Sequence, residues 1–232
     1  MLKALLTDID GTITDSSRRI HTESIEMIRS LVDEGVVVVL ASGNVPCFME
    51  ALCKMIGTQG TFIAENGGVI RVGYTGPLHV YGDQKAPREA LAILQAHYRT
   101  EEKELILFNP TYRHADLAFA RTVPSAEVRE ILRNFPVQVI DTGYAIHLQS
   151  PGINKGTALV DVAGKLGLAP QEFLAIGDSV NDVQMLMNAG IGITVANAHP
   201  ETKAVAAYVA EKEYGDGFVE AVKKYSSYFR AR

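Results

Sequence analysis

The chain has 232 residues, 47% of them hydrophobic and 21% charged, with 22 basic against 27 acidic side chains and a net charge of −5. Such a composition suits one large globular domain or two modest ones and excludes a disordered tail, a collagen-like fibre and a disulfide scaffold. The mild acidity gives no general reason to bind nucleic acid or anionic lipid, so any anion must be held by a local site. Ala4 to Thr7 form a short apolar run that leads into Asp8-Ile9-Asp10-Gly11-Thr12, as a buried strand ending in an acidic loop would. Ile25, Ile28, Leu31 and Val32 then recur with helical spacing, and Gly35 closes that helix. Val36 to Leu40 is an unbroken β-branched run, the pattern of a strand covered on both faces. It ends in Ser42-Gly43-Asn44, before a helix from Pro46 to about Met55. Phe62 to Ala64 reads as a further strand, and Glu65-Asn66-Gly67-Gly68 as a hairpin turn into Val69 to Val72.

The middle of the chain changes character. From Gln84 to Pro151 eight basic and eight acidic residues balance, so the net charge lies in the flanking segments. Pro87 opens a helix to about Arg99, and alternation around Arg113 to Arg121 predicts a half-exposed strand. Pro124 opens a helix to about Asn134, and Val137 to Ile140 pairs with Ala145 to Leu148 as a hairpin. After Gly152 the first pattern returns: a helix from Lys155 to Leu166, then a buried strand from Phe173 to Ile176 ending in Gly177-Asp178-Ser179-Val180-Asn181-Asp182. A helix to about Asn188, a strand from Ile191 to Val195, and a last helix, strand and helix complete the chain. The fold class expected is α/β, a Rossmann-like parallel-sheet core (1–83 and 152–232) interrupted by a small α+β insert (84–151).

Cys47 and Cys53 lie six residues apart in a helical stretch, about 600° of rotation, so their side chains diverge and no bridge is expected. The scarcity of cysteine and the lack of a signal-type segment point to a reducing cytoplasm. The longest charge-free stretch, Val183 to Pro200, carries glycines, asparagines and proline and is no membrane span.

Four polar clusters stand at the ends of core segments: Asp8 with Asp10, Ser42 with Gly43, Lys155, and Asp178 with Asp182. Loops that follow the strands of an open parallel sheet converge on one edge, where ligands bind. Four carboxylates gathered there need a cation, and their hard oxygens suit Mg²⁺. The Ser42 hydroxyl and the Gly43 amide at a helix start can hold phosphate oxygens, and Lys155 supplies a point charge. These parts fit phosphoryl transfer. Each cluster alone would also pass for a turn, a cap or a surface lysine, and their conjunction in this order carries the inference.

Asp8-x-Asp10-Gly11-Thr12, Ser42-Gly43-Asn44, Lys155 and Gly177-Asp178-Ser179-x-Asn181-Asp182 resemble the four motifs of the haloacid dehalogenase superfamily, over essentially the whole chain. The place of the insert, with Asn66-Gly67-Gly68 and Val195-Ala196-Asn197-Ala198, resembles the subgroup carrying an α/β cap between the second and third motifs. Within it, the short chain and small cap are similar to archaeal-type phosphoglycolate phosphatases. The resemblance implies Asp8 as nucleophile and Asp10 as acid and then base. It implies Mg²⁺ held by Asp8, the Asp10 carbonyl, Asp178 and Asp182. Ser42, Gly43 and Lys155 would bind the phosphoryl group, and Asn181 would support it or orient Lys155. Asp178 and Asp182, four residues apart, would face one ion from one helical turn. The implied activity is phosphate release from a small monoester, 2-phosphoglycolate first, with a sugar-phosphate phosphatase or a phosphomutase as alternatives. A receiver-like phospho-acceptor switch is the alternative of another class, which Asp10 and the insert disfavour.

Other side chains are weaker candidates. Tyr112, Arg113, His114, Arg121 and His147 lie in the insert, where single Arg and His residues are usually superficial. His21 and His199 stand near helix starts as capping residues, and Met185 with Met187 reads as core packing. Aromatic and apolar residues from Tyr74 to Tyr81 are a candidate contact for a homodimer.

Overall fold

The computed structural model describes residues 1–230. The core strands are β1 (Ala4–Asp8), β2 (Val37–Ala41), β3 (Thr61–Ala64), β4 (Val69–Arg71) and β5 (His79–Val80). The insert adds β6 (Asp116–Ala120), β7 (Gln138–Asp141) and β8 (Ala145–Gln149), and the core resumes with β9 (Phe173–Gly177), β10 (Ile191–Thr194) and β11 (Tyr208–Val209). Helices α1 (Thr22–Asp33), α2 (Pro46–Ile56), α3 (Lys85–Arg99) and α4 (Ser125–Ile131) precede α5 (Lys155–Leu166), α6 (Val183–Asn188), α7 (Pro200–Val205) and α8 (Tyr214–Tyr225).

Eight strands form one sheet in the order β11-β10-β9-β1-β2-β3-β4-β5. All neighbours from β11 to β3 are parallel, and β4 and β5 fold back antiparallel. Alternate residues of the central strands serve two cores. Leu5, Val38, Leu40, Leu174 and Ile176 pack with α1, α2 and α8 residues, while Ala4, Leu6, Val39, Phe173 and Ala175 pack with those of α5 and α6. That double coverage is why these strands read as continuous apolar runs. From β1 the chain builds outward through β2 and β3, then returns to place β9 on the other side of β1. The sheet therefore has its topological switch point at the carboxyl end of β1, where an α/β sheet opens a crevice for ligands.

A second, three-stranded antiparallel sheet in the order β6-β8-β7 belongs to the insert. One face buries Leu117, Phe119, Ile146 and Leu148 against Ala90, Leu94, Tyr98 of α3 and Val128 of α4. The opposite face carries Asp116, His147 and Gln149 and is turned to the core, where the Gln149 amide donates to the Glu65 carbonyl at 2.9 Å. Because both faces are covered, β6 is buried along nearly its whole length, which corrects the half-exposed strand read from its alternation. Helix α4 stops at Ile131, short of Asn134. Met185 is fully buried but Met187 is 59% exposed, so only the first of that pair packs in the core. Both cysteines are free, Cys47 exposed and Cys53 buried. No helix among the described residues is long and apolar enough to cross a membrane.

The insert is held down by one buried carboxylate. Glu65, in the turn after β3, accepts backbone N–H groups from His114, Ala115 and Asp116 at 2.7–3.1 Å. Burial, and then the charge of Asp116, raise Glu65 to about 7 against the pull of those hydrogen bonds. Glu65→Ala would leave three N–H groups without their acceptor, two of them on buried residues. It is expected to cost about 1–3 kcal/mol and to speed amide exchange at positions 114–116, measured by hydrogen exchange. Unchanged protection there would exclude the clamp.

Candidate active site

Asp8 ends β1, Ser42 follows β2 and Asp178 follows β9, so three adjacent parallel strands deliver three of the four clusters to one sheet edge. Lys155 arrives from the first turn of α5, whose start is set by an Asn154–Thr157 capping box. Its ammonium is 1% exposed and lies 2.5 Å from Asp8 Oδ1 and 2.6 Å from Asp182 Oδ1. Burial would lower Lys155, but Asp182 and Asp8 outweigh it and hold the group well above its ordinary range.

Asp182 does not join Asp178 on a helical face, as a four-residue spacing suggested. Its Oδ2 accepts the backbone N–H groups of Asp178 and Ser179 at 3.0 and 2.9 Å, closing a tight turn ahead of α6. Asp178 accepts instead from Thr12 Oγ1 at 3.0 Å and Ser179 Oγ at 3.2 Å. Carboxylate oxygens of Asp8, Asp178 and Asp182 lie within 4.8 Å of one another. One ammonium thus faces three buried or half-buried carboxylates. Burial followed by the charge of Asp182 raises Asp178 to about 7; burial, with Asp182 and Asp178, raises Asp8 well above the ordinary carboxylate range despite Lys155. An all-oxygen set short of positive charge fits a hard divalent ion such as Mg²⁺.

Gly11 lets the loop close. Its φ is +93° and a Cβ there would stand 2.5 Å from Asp178 Oδ2. Gly11→Ala is expected to push Asp178 aside and lower turnover by about 10²-fold, read by phosphate release beside a thermal melt. Wild-type turnover would show that Asp178 is free to move.

Ser42 is buried, and its Oγ accepts from Asn44 N and Asn44 Nδ2 at 3.1 and 3.0 Å, which leaves the hydroxyl proton to donate. Gly43 lies in the loop before α2 rather than at its first turn, since Val45 is the N-cap residue. Asp10 is half-buried beside the cavity, with Arg18 Nη2 at 2.7 Å and Asn44 Nδ2 at 3.3 Å. Asn181 donates to Asn66 Oδ1 at 2.9 Å and not to Lys155, whose orientation comes from Asp8 and Asp182. Asp8, Asp10, Ser42, Gly43, Asn44, Asp178 and Asn181 line a cavity of ≈ 340 Å³ between core and insert, and Lys155 and Asp182 do not.

The insert supplies the far wall. Arg113 and His147 are 7% and 3% exposed, which corrects their reading as superficial residues. Tyr112 is exposed, Arg121 pairs with Asp141 at 3.0 Å, and His114 joins the site only through its backbone. His199 caps α7, whereas the His21 ring meets Ser24 Oγ and caps no backbone group. Arg18, Glu65 and Asp116 were missed, and Asn66 was noted as a family mark without a role in the site. Only Asn66 had a local signal, in the Glu-Asn-Gly-Gly turn that sets it at φ 53°.

The sequence matches the haloacid dehalogenase-like hydrolase family over residues 5–112 and 121–222. The chain belongs to that family. This hydrolase is 56% identical over the full length of both chains to the "phosphoglycolate phosphatase" of Methanoculleus marisnigri. It is 46% identical, again end to end, to the protein of that name in Methanospirillum hungatei. Its fold superposes on a crystal structure from Thermoplasma acidophilum with a TM-score of 0.86 at 28% identity, covering 97% of this chain and 99% of the other.

Proposed function

We propose that this hydrolase is a Mg²⁺-dependent phosphatase of small organic phosphate monoesters, with 2-phosphoglycolate its preferred substrate. The single observation that carries the chemistry is Asp8, buried at the switch point of the sheet and held by Lys155 at 2.5 Å. The names of its full-length relatives support the substrate. Asp8 attacks phosphorus, the bond from phosphorus to the ester oxygen breaks, and an aspartyl-phosphate forms. Asp10 gives its proton to the departing oxygen, then takes one from the water that attacks phosphorus, which frees Asp8 and inorganic phosphate. Ser42 donates its hydroxyl proton to a phosphoryl oxygen, the Gly43 amide and Asn181 assist, and Lys155 holds the nucleophile and balances charge.

Mg²⁺, when bound, would neutralise charge on the phosphoryl oxygens. Asp8, Asp178 and the Asp10 carbonyl would hold it. Asp182, already accepting from Lys155 and two backbone N–H groups, would contribute by fixing Lys155 and the Asp178 loop. Residues 1–83 and 152–232 are then the catalytic core and 84–151 a cap that excludes water during attack. Two unpaired cysteines suit a reducing cytoplasm.

The test is phosphate release from 2-phosphoglycolate, sugar phosphates and an aryl phosphate, with Mg²⁺ and with chelator. Metal-dependent release with the highest kcat/KM on 2-phosphoglycolate is expected. A sugar phosphate as best substrate would overturn the substrate assignment, and release unaffected by chelator would overturn the metal.

A further inference from the structure

We propose that Arg113 and His147, positioned by Asp116, form a subsite in the insert that binds a carboxylate on the substrate's carbon skeleton. This rests on the phosphatase reading and adds to it the group that recognises the end of the substrate away from phosphorus. Asp116 is fully buried; its two oxygens accept from Arg113 Nη1 at 2.6 Å and from His147 Nδ1 at 2.8 Å. Burial alone would raise Asp116, but Arg113 and His147 outweigh it and keep the carboxyl below its ordinary range, ionised at neutral pH. The pairing of β6 with β8 sets Ala118 opposite His147, and Arg113 precedes β6 by three residues, so strand register builds the cluster.

A cluster serving only to pack the insert would spend its polar atoms inside the insert. Here Arg113 uses Nε on Phe108 O at 2.9 Å and reaches the core with Nη1, 3.2 Å from Gly43 O. Its Nη2 and the His147 Nε2 have no hydrogen-bond partner among the described residues, and both side chains line the cavity that holds Asp8. The His147 ring lies so close to the phosphate loop that a Cβ on Gly43 would stand 3.1 Å from its Cε1. The core side of the cavity is acidic, with Asp8, Asp10 and Asp178, and the other cation on its wall, Arg18, is bound to Asp10. The unspent Nη2 of Arg113, and the Nε2–H that His147 offers when its ring carries both protons, therefore face a ligand whose phosphoryl group is held by the core. A small ester such as 2-phosphoglycolate is anionic at both ends, with its carboxylate two bonds from the ester oxygen.

The experiment compares kcat/KM for 2-phosphoglycolate and for ethyl phosphate, which lacks the carboxylate, in the wild type, His147→Asn and His147→Gln. Asparagine keeps a donor for Asp116 and loses the reach of Nε2, whereas glutamine puts an amide nitrogen near that position. The preference for 2-phosphoglycolate over ethyl phosphate is expected to fall about 10- to 100-fold in His147→Asn, mainly through KM, and to recover in part in His147→Gln. A preference within about twofold of wild type in His147→Asn overturns the subsite, even if both rates fall together. A wild type that hydrolyses both esters without preference also overturns it while leaving the phosphatase intact. A wild type that hydrolyses neither overturns the 2-phosphoglycolate assignment, and the subsite with it.

Discussion

Asp8→Asn is expected to lower turnover by about 10⁴-fold or more, because an amide neither attacks phosphorus nor leaves from it. The same change is expected not to weaken the fold. Asp8 is one of three carboxylates around a single ammonium, and burial with Asp182 and Asp178 raises its proton affinity above the unfolded value. A carboxyl raised in the folded state binds its proton more tightly there, so its ionisation erodes stability as pH climbs above the ordinary carboxylate range. Asparagine removes that cost and keeps the shape. In chelator at pH 7 the thermal midpoint of Asp8→Asn should equal or exceed that of wild type. A lower midpoint would mean that the Lys155 bond outweighs the repulsion. An active site that is less stable than its disabled variant is the usual sign of stability given up for chemistry.

Lys155→Met should have the opposite signature, losing activity and stability together. The ammonium is buried between Asp8 and Asp182, and removing one partner of a buried charge pair costs about 3–5 kcal/mol. At about 2–4 °C per kcal/mol for a chain of this size, the thermal midpoint should fall by roughly 6–20 °C. The pH dependence has a definite sign. Without the cation the three carboxylates bind protons still more tightly in the folded state, so the deficit grows as pH rises and shrinks toward acid. A midpoint within about 2 °C of wild type at neutral pH would show that the cluster does not depend on Lys155.

The edge of the candidate site was legible because parallel strands announce themselves. Val36 to Leu40 is apolar at every position since both faces are covered, and the polar residue that ends such a run must lie at the sheet edge. Asp8, Ser42 and Asp178 could be placed that way without any knowledge of contacts. Asp182 was assigned to the right neighbourhood by the wrong route: it closes a turn on Asp178 and Ser179 instead of sharing a helix face. The insert was harder to read. Arg113 to Arg121 reads as a half-exposed strand, and nothing local says that Asp116 will meet a histidine 31 positions away. Glu65 was equally silent, since the partners of its carboxylate begin 49 residues downstream. Polar clusters assembled by sheet register leave no period in the chain.

The order of the strands also bears on how the molecule is made. β1, at the centre of the sheet, gains β2 early but waits for β9 before its other edge is paired. Lys155 follows Asp8 by 147 residues, and Asp178 follows Thr12 by 166. At about 5–20 residues per second, Asp8 leaves the ribosome roughly 7 to 30 s before its ammonium partner. Late in that interval the strands of the insert can pair among themselves, whereas the edge that carries Asp8 has no partner to close on. A nascent chain halted before residue 155 therefore exposes Asp8 on an open strand edge, inert toward phosphate esters and in need of protection from other unfinished sheets.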